Sequence, residues 1–206
     1  GAYLLDKADI SRDPITKEAS FTYKGEGEWE LFCGPSNETI DFTAAAADGN
    51  AAGTYTIPAA EKQHSIFQLE TPDGRAVLAE RHLPMEGGYN FRDLGGYQGA
   101  NGKYVKWGMI FRTDDMHNLT QADLEYLASI PILTIADFRS KGEKDAAPDK
   151  LPSTVMNTLD LAVEPGNLMG AVSDGDPDAA RMAALMEELN VAMVTDTTVI
   201  EQYRRF

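Results

Sequence analysis

Between Ser20 and Arg81 the chain runs in short stretches where apolar and polar residues alternate, as in strands that bury one face. The stretches are 20–24, 28–33, 53–57, 65–70 and 75–81. Trp29-Glu30-Leu31-Phe32 and Phe67-Gln68-Leu69-Glu70 carry the pattern best. Turn-formers separate them: Gly25-Glu26-Gly27, Gly34-Pro35-Ser36-Asn37, Asp48-Gly49-Asn50 and Pro72-Asp73-Gly74. This spacing predicts a small all-β sandwich over residues 1–86. Tyr3-Leu4-Leu5, ahead of Asp6-Lys7-Ala8-Asp9, reads as a short helix or an edge segment. A core of this size is marginal alone, so docking on the rest of the chain is expected to help.

From residue 87 the pattern changes. Glycines and other turn-formers crowd 87–112, and the chain then alternates strand and helix. Pro84 and Gly87-Gly88 place a domain boundary between Arg81 and Tyr89, giving modules 1–86 and 87–206. Residues 105–112 read as a strand region in which Gly108 marks a bulge or a close backbone approach. Thr120 with Asp123 forms a capping box that starts a helix with Leu124, Leu127 and Ala128 on its buried stripe, and Pro131 ends it. The apolar run 132–136 fits a central strand covered on both faces, ending in Asp137-Phe138-Arg139-Ser140. A helical turn or two is expected over 143–147. A strand is expected over 154–162, followed by the loop Val163-Glu164-Pro165-Gly166-Asn167. Met182, Leu185, Met186 and Leu189 give 178–190 a helical stripe. A last helix runs from about Asp196 to Phe206 without a stop signal, so the chain reads as cut in mid-element.

The 206 residues, 43% hydrophobic and 25% charged, are globular in composition. The net charge of -15 makes nucleic acid and anionic membrane poor partners. No apolar run approaches the length of a membrane span, and a leader cleaved on export is compatible with the sequence. The single cysteine, Cys33, excludes an internal disulfide. Six residues beyond it stands Thr39, where a phosphate loop needs Arg, and Glu38 would oppose phosphate, so Cys33 reads as a small buried apolar residue. His64 and His82 lie far from other ligand types at metal spacing, so a metal site is not expected. The triplets at Asn37 and Asn118 fit a glycosylation pattern and receive no function.

The most specific segment is Asn90-Phe91-Arg92-Asp93-Leu94-Gly95-Gly96. Trp107-Gly108-Met109-Ile110-Phe111-Arg112, Leu119-Thr120-Gln121-Ala122-Asp123-Leu124 and Asp137-Phe138-Arg139-Ser140-Lys141-Gly142-Glu143-Lys144 follow it. These four blocks, in this order, resemble the bacterial tyrosine phosphatase family, whose members act on phosphotyrosine, on other phosphoresidues or on phosphoinositides. The resemblance covers 87–206. It implies an α/β fold in which a parallel sheet is flanked by helices, and the first half resembles the β-sandwich some members carry in front. It also implies chemistry without metal or cofactor, on a phosphorylated protein or phospholipid substrate. The family's thiolate sits in a His-Cys-x-x-Gly-Lys-x-Arg-Thr-Gly loop, and no such loop occurs in this sequence. By the resemblance, Glu164 and Asp160 are the candidates for the general acid. Asn90, Arg92 and Asp93 are candidates to brace the missing loop, or alternatively an Arg–Asp pair pins the glycine turn. Arg112, Asp114, Asp137 and Arg139 are candidate cleft residues.

Two functions stay open at this level. One is a cysteine-dependent phosphatase of which this chain is an inactive portion. The other is a partner- or glycan-binding sandwich on a pseudophosphatase scaffold, with Trp29, Tyr55 and Phe67 as its platform. If the central strand is missing, the sheet is incomplete, 132–135 lies beside the gap, and the exposed apolar surface invites self-association.

Overall fold

The computed structural model describes residues 2–60, 63–163 and 197–205, with the single positions Glu187 and Val191. It mixes eleven short strands, in several small sheets, with few helices. The chain divides into two compact units: residues 1–132 with 149–154, and 133–148 with 155–206.

The first unit opens with a short helix α1 (Ala2–Leu5) and is built on two antiparallel sheets. One contains β1 (Ala8–Arg12), β2 (Ala19–Tyr23) and β5 (Gly53–Thr56), in the order β1-β2-β5. The other runs β4-β3-β6-β7, from β4 (Ala47–Gly49), β3 (Trp29–Gly34), β6 (Ile66–Thr71) and β7 (Gly74–Leu78). Strands β1 and β4 were not expected from the pattern; the other four sequence-predicted stretches beyond β2 lie within two or three residues of their observed bounds. In β2, Ala19, Phe21 and Tyr23 are buried and the intervening residues less so. That alternation fixes the register, because a slip of one residue would turn Phe21 outward. Trp29 meets Phe21 edge-on at 4.9 Å between centroids and Tyr55 at 4.7 Å. Leu31, Phe67, Leu69 and Ile57 complete the core, each side chain contributing about 1.5–3 kcal/mol by leaving water.

The compact unit extends beyond the Arg81–Tyr89 punctuation to residue 132, and Trp107 joins its core. Trp107 is 7% exposed and belongs to the same cluster. Of the strand expected over 105–112 only the last two residues are strand, and Trp107 and Gly108 lie in a turn. As a strand only β9 (Phe111–Arg112) forms, paired with β8 (Arg92–Asp93), while Val105 bonds through its backbone to Gly96 and Tyr97 and Ile110 accepts from Leu94. Helix α2 (Gln121–Ser129) starts at the expected N-cap, Thr120, whose hydroxyl accepts from Asp123 N. The Asp123 carboxylate in return accepts from the amides of Thr120, Glu86 and Gly87. Beneath α2, Arg12 and Glu80 form a fully buried ion pair at 3.1 Å. The rest of the Arg12 fork donates to the carbonyls of Lys17, Ala60 and Gln63, and Tyr126 donates to Glu80. A buried pair is tolerable when its donors are used in this way.

In the second unit β10 (Thr134–Asp137) and β11 (Asn157–Asp160) pair in parallel, Asp137 opposite Asp160. Helix α3 (Lys141–Ala146) follows β10, capped by Ser140 and Glu143 in a reciprocal box. Both strands are shorter than expected. The reading of 132–136 as covered on both faces does not hold among the described residues: β10 has one hydrogen-bonded neighbour, Thr134 is exposed, and Ile135 and Ala136 are half-buried. Apolar content alone could not distinguish a central strand from an edge. Helix α4 (Thr197–Arg205) lies within the expected 196–206. The helix expected over 178–190 lies outside the described residues.

Candidate functional site

Asp93 is the centre of the signature segment. It is fully buried, and its two oxygens accept from the amides of Gly95 and Gly108, each at 2.7 Å. Burial raises its pKa, and the two N–H groups with nearby Arg81 offset part of that rise. One carboxylate thereby ties the glycine turn to the loop that carries Trp107. The glycines are required sterically: a Cβ on Gly95 would lie 2.5 Å from Trp107 Cα, and Gly96 combines a φ of +79° with a Cβ position 2.5 Å from the indole ring.

The cation of this turn is Arg81, which sequence reasoning missed. Its guanidinium lies 4.4 Å from the Tyr97 ring centroid and 4.3 Å from that of Trp107. It donates to the carbonyls of Asp93 and Gly95, each at 2.6 Å. The Arg–Asp pair anticipated inside the motif is therefore not a contact between Arg92 and Asp93, because adjacent residues of a strand project to opposite faces. Only the separation of Arg81 from the motif hid it, since no local spacing links them.

Asn90 adopts a φ of +54°, tolerated by an Asn side chain, and approaches Asp114 at 3.4 Å. Arg92 and Arg112 are direct partners across β8 and β9. The structure thus brings Asn90, Arg92, Asp93, Arg112 and Asp114 into one neighbourhood of the first unit.

Asp137, Arg139 and Asp160 belong to the second unit. Arg139 grips Asp137 through Nε at 3.1 Å and a second nitrogen at 3.0 Å, and donates to the Ala147 carbonyl at 2.8 Å. Burial would raise the Asp137 pKa, but the Arg139 bonds outweigh it and lower it. Asp160 accepts from Lys144 at 2.6 Å. That bond and the Ala162 amide hold its carboxyl below its ordinary range. A carboxylate held ionised is poorly suited to donate a proton at neutral pH. Glu164 lies outside the described residues. The box at Ser140 and Glu143 carries the Ser-x-x-Glu pattern in the sequence itself.

Cys33 is half-buried and free. Burial, and then Asp41, push its thiol up, the opposite of an activated nucleophile. Trp29 and Phe67 are buried, and Tyr55 packs against Trp29, so the three form core rather than an exposed platform. Among the described residues no group of three His, Cys, Asp or Glu is placed to hold a metal ion, and no helix is long and apolar enough to cross a membrane.

Residues 83–206 match the tyrosine phosphatase family. A Cupriavidus necator protein described as a putative tyrosine-protein phosphatase is 36% identical over 75 residues, covering 36% of this chain and 28% of that protein.

Proposed function

This chain belongs to the tyrosine phosphatase family, and on that premise we propose that the protein of which it forms part hydrolyses phosphotyrosine. Other phosphate monoesters, on serine, threonine or inositol lipids, are the finer possibilities within the same chemistry. The observation that carries the proposal is the family match over 83–206, which contains the Asp93-centred turn.

A cysteine thiolate attacks phosphorus, an S–P bond forms as the ester P–O bond breaks, and a carboxylic acid protonates the leaving oxygen. Water then cleaves the phosphocysteine and releases inorganic phosphate. The 206 residues contain no Cys-x5-Arg loop, and the burial of Cys33 argues against recruiting it. The nucleophile is therefore assigned to residues outside this sequence. Glu164 is the preferred general acid, because Lys144 holds Asp160 as its anion. Asn90, Arg92 and Asp93 are assigned to bracing the nucleophile loop, and Arg112, Asp114, Asp137 and Arg139 to the cleft.

Two features of architecture accompany this reading. Residues 1–86 form a β-sandwich accessory module and 87–206 part of a phosphatase-type parallel sheet flanked by helices. Supporting the first is the start of the family match at residue 83. Supporting the second is the parallel pairing of β10 with β11.

The test is an assay with p-nitrophenyl phosphate. The 206-residue chain should match buffer, and the product of the source gene should turn over. Turnover by the 206 residues that is abolished in Cys33→Ser would overturn the assignment. A source gene without a Cys-x5-Arg loop in the few tens of codons after Phe206 would remove the phosphatase proposal.

A further inference from the structure

A cavity of about 280 Å³ opens between α1, β1, the end of β7 and the glycine turn. Its walls are mostly apolar, from Leu5, Ala8, Leu78, Ala79 and Trp107. Asp6, Asp9 and Arg81 join them, with the exposed ring of Tyr97. An apolar pocket on which a few polar groups converge is the usual form of a small-molecule site. This one lies at the small end of the range, with room for one small metabolite.

The polar groups of this cavity are only partly used. Arg81 gives one terminal nitrogen to the carbonyls of Asp93 and Gly95 and lays its guanidinium over Tyr97 and Trp107. Its Nε and its other terminal nitrogen donate to nothing among the described residues. Asp9, exposed on β1, accepts no hydrogen bond and makes no ion pair there either. Burial raises its pKa against the pull of His82, Lys24 and Arg81, so these cations act on it from a distance without compensating it. The Trp107 indole N–H is buried and has no acceptor. It borders Gly96, another wall residue, whose Cβ would lie 3.2 Å from it. Unused donors and an unused acceptor thus line one apolar cavity.

We propose that this cavity binds a free α-amino acid with an apolar side chain, its carboxylate on the open edge of Arg81, its ammonium on Asp9 and its side chain against Leu78 and Trp107. A guanidinium edge and a carboxylate match in paired, charge-assisted hydrogen bonds. A simple cation would leave Arg81 unmet, and a simple anion would leave Asp9 unmet. Asp6 adds a second carboxylate to the cavity, which further disfavours a purely anionic ligand. A zwitterion carries both charges on one carbon and bridges two groups that attract each other without pairing. The inference does not rest on the phosphatase reading, because Asp6, Asp9, Leu78 and Arg81 all precede the family match at residue 83.

The test is an NMR titration of the 206-residue chain with L-leucine, L-methionine and L-phenylalanine in turn. At least one should give saturable shifts at the amides of Asp9 and Arg81 and at the indole N–H of Trp107. The best binder is then compared with its two halves, the amine lacking the carboxylate and the acid lacking the ammonium. Each half should bind roughly tenfold more weakly or worse, through loss of one charge-assisted contact. Asp9→Asn, nearly isosteric and at an exposed position, should weaken the amino acid to the same degree and leave the acid half unaffected. Failure of all three amino acids to saturate overturns the site. A half that binds as tightly as the whole overturns the zwitterion class, and unchanged binding in Asp9→Asn overturns the role of Asp9. Because no phosphate is involved, none of these outcomes bears on the phosphatase assay.

Discussion

His64 and Asp93 show how a single buried residue sets properties that its sequence neighbours do not. The His64 ring is 2% exposed, lies edge-on to Phe111 and Tyr126, and has no partner for either nitrogen. Burial, and then the charge of Arg12, lower its pKa from 6.5 to about 4. The folded state therefore resists a proton that the unfolded chain accepts. Its contribution is full above pH 6.5 and is lost as pH falls toward 4, by about 1.4 kcal/mol per unit. Urea unfolding of the wild type and His64→Leu at pH 7.5 and pH 5 tests this: the variant should lose less stability on acidification. An equal loss in both would mean that His64 is not the responsible group. At Asp93 the expected effect is structural. Asp93→Ala leaves the amides of Gly95 and Gly108 without their acceptor and should cost about 3 kcal/mol in chemical denaturation. A cost under about 0.5 kcal/mol, the range of ordinary surface changes, would refute the pinning role.

Helix α2 illustrates how one element can be local in origin and tertiary in consequence. Its start follows from Thr120 and Asp123, a pattern readable from sequence. The same Asp123 also receives the amides of Glu86 and Gly87, so the cap holds the chain entering the signature segment. Burial alone would raise its pKa, but the three amide bonds and Lys17 outweigh that and lower it. The stabilisation is thus present above the unfolded value near 3.8 and is lost as pH falls through the lower folded value. Asp123→Ala should cost about 2 kcal/mol at neutral pH, at the upper end for a cap because further donors are orphaned. That difference should shrink in strong acid. A difference independent of pH would show that packing, rather than the carboxylate, is responsible.

At the scale of the whole molecule, β10 is an edge strand among the described residues. Among the described residues it has one strand neighbour, and Leu133 and Met156, beside the pair, are 49% and 79% exposed. An unpaired edge flanked by apolar side chains is a template for association. The 206-residue chain is therefore expected to self-associate with rising concentration in sedimentation velocity, and Leu133→Lys should suppress it. A single monomeric species throughout would remove the proposal.

Local pattern determined the β-rich first half, most of its strands, the cap of α2 and the resemblance carried by residues 90–96, because alternation, capping and turn chemistry act over a few positions. The blandness of Cys33 was also legible, from the residues beside it. Tertiary structure decided what depends on distant partners. It chose Arg81 rather than Arg92 to serve the Asp93 turn, made core of Trp107, Trp29 and Phe67, and gave α2 a second task at Glu86 and Gly87. It also aligned His82, Arg92 and Arg112, separated by ten and twenty positions, across three strands. Sequence spacing carries no information about such register. Hydrogen bonding between strands sets which side chains stand opposite one another, and burial sets which of their charges must find a partner.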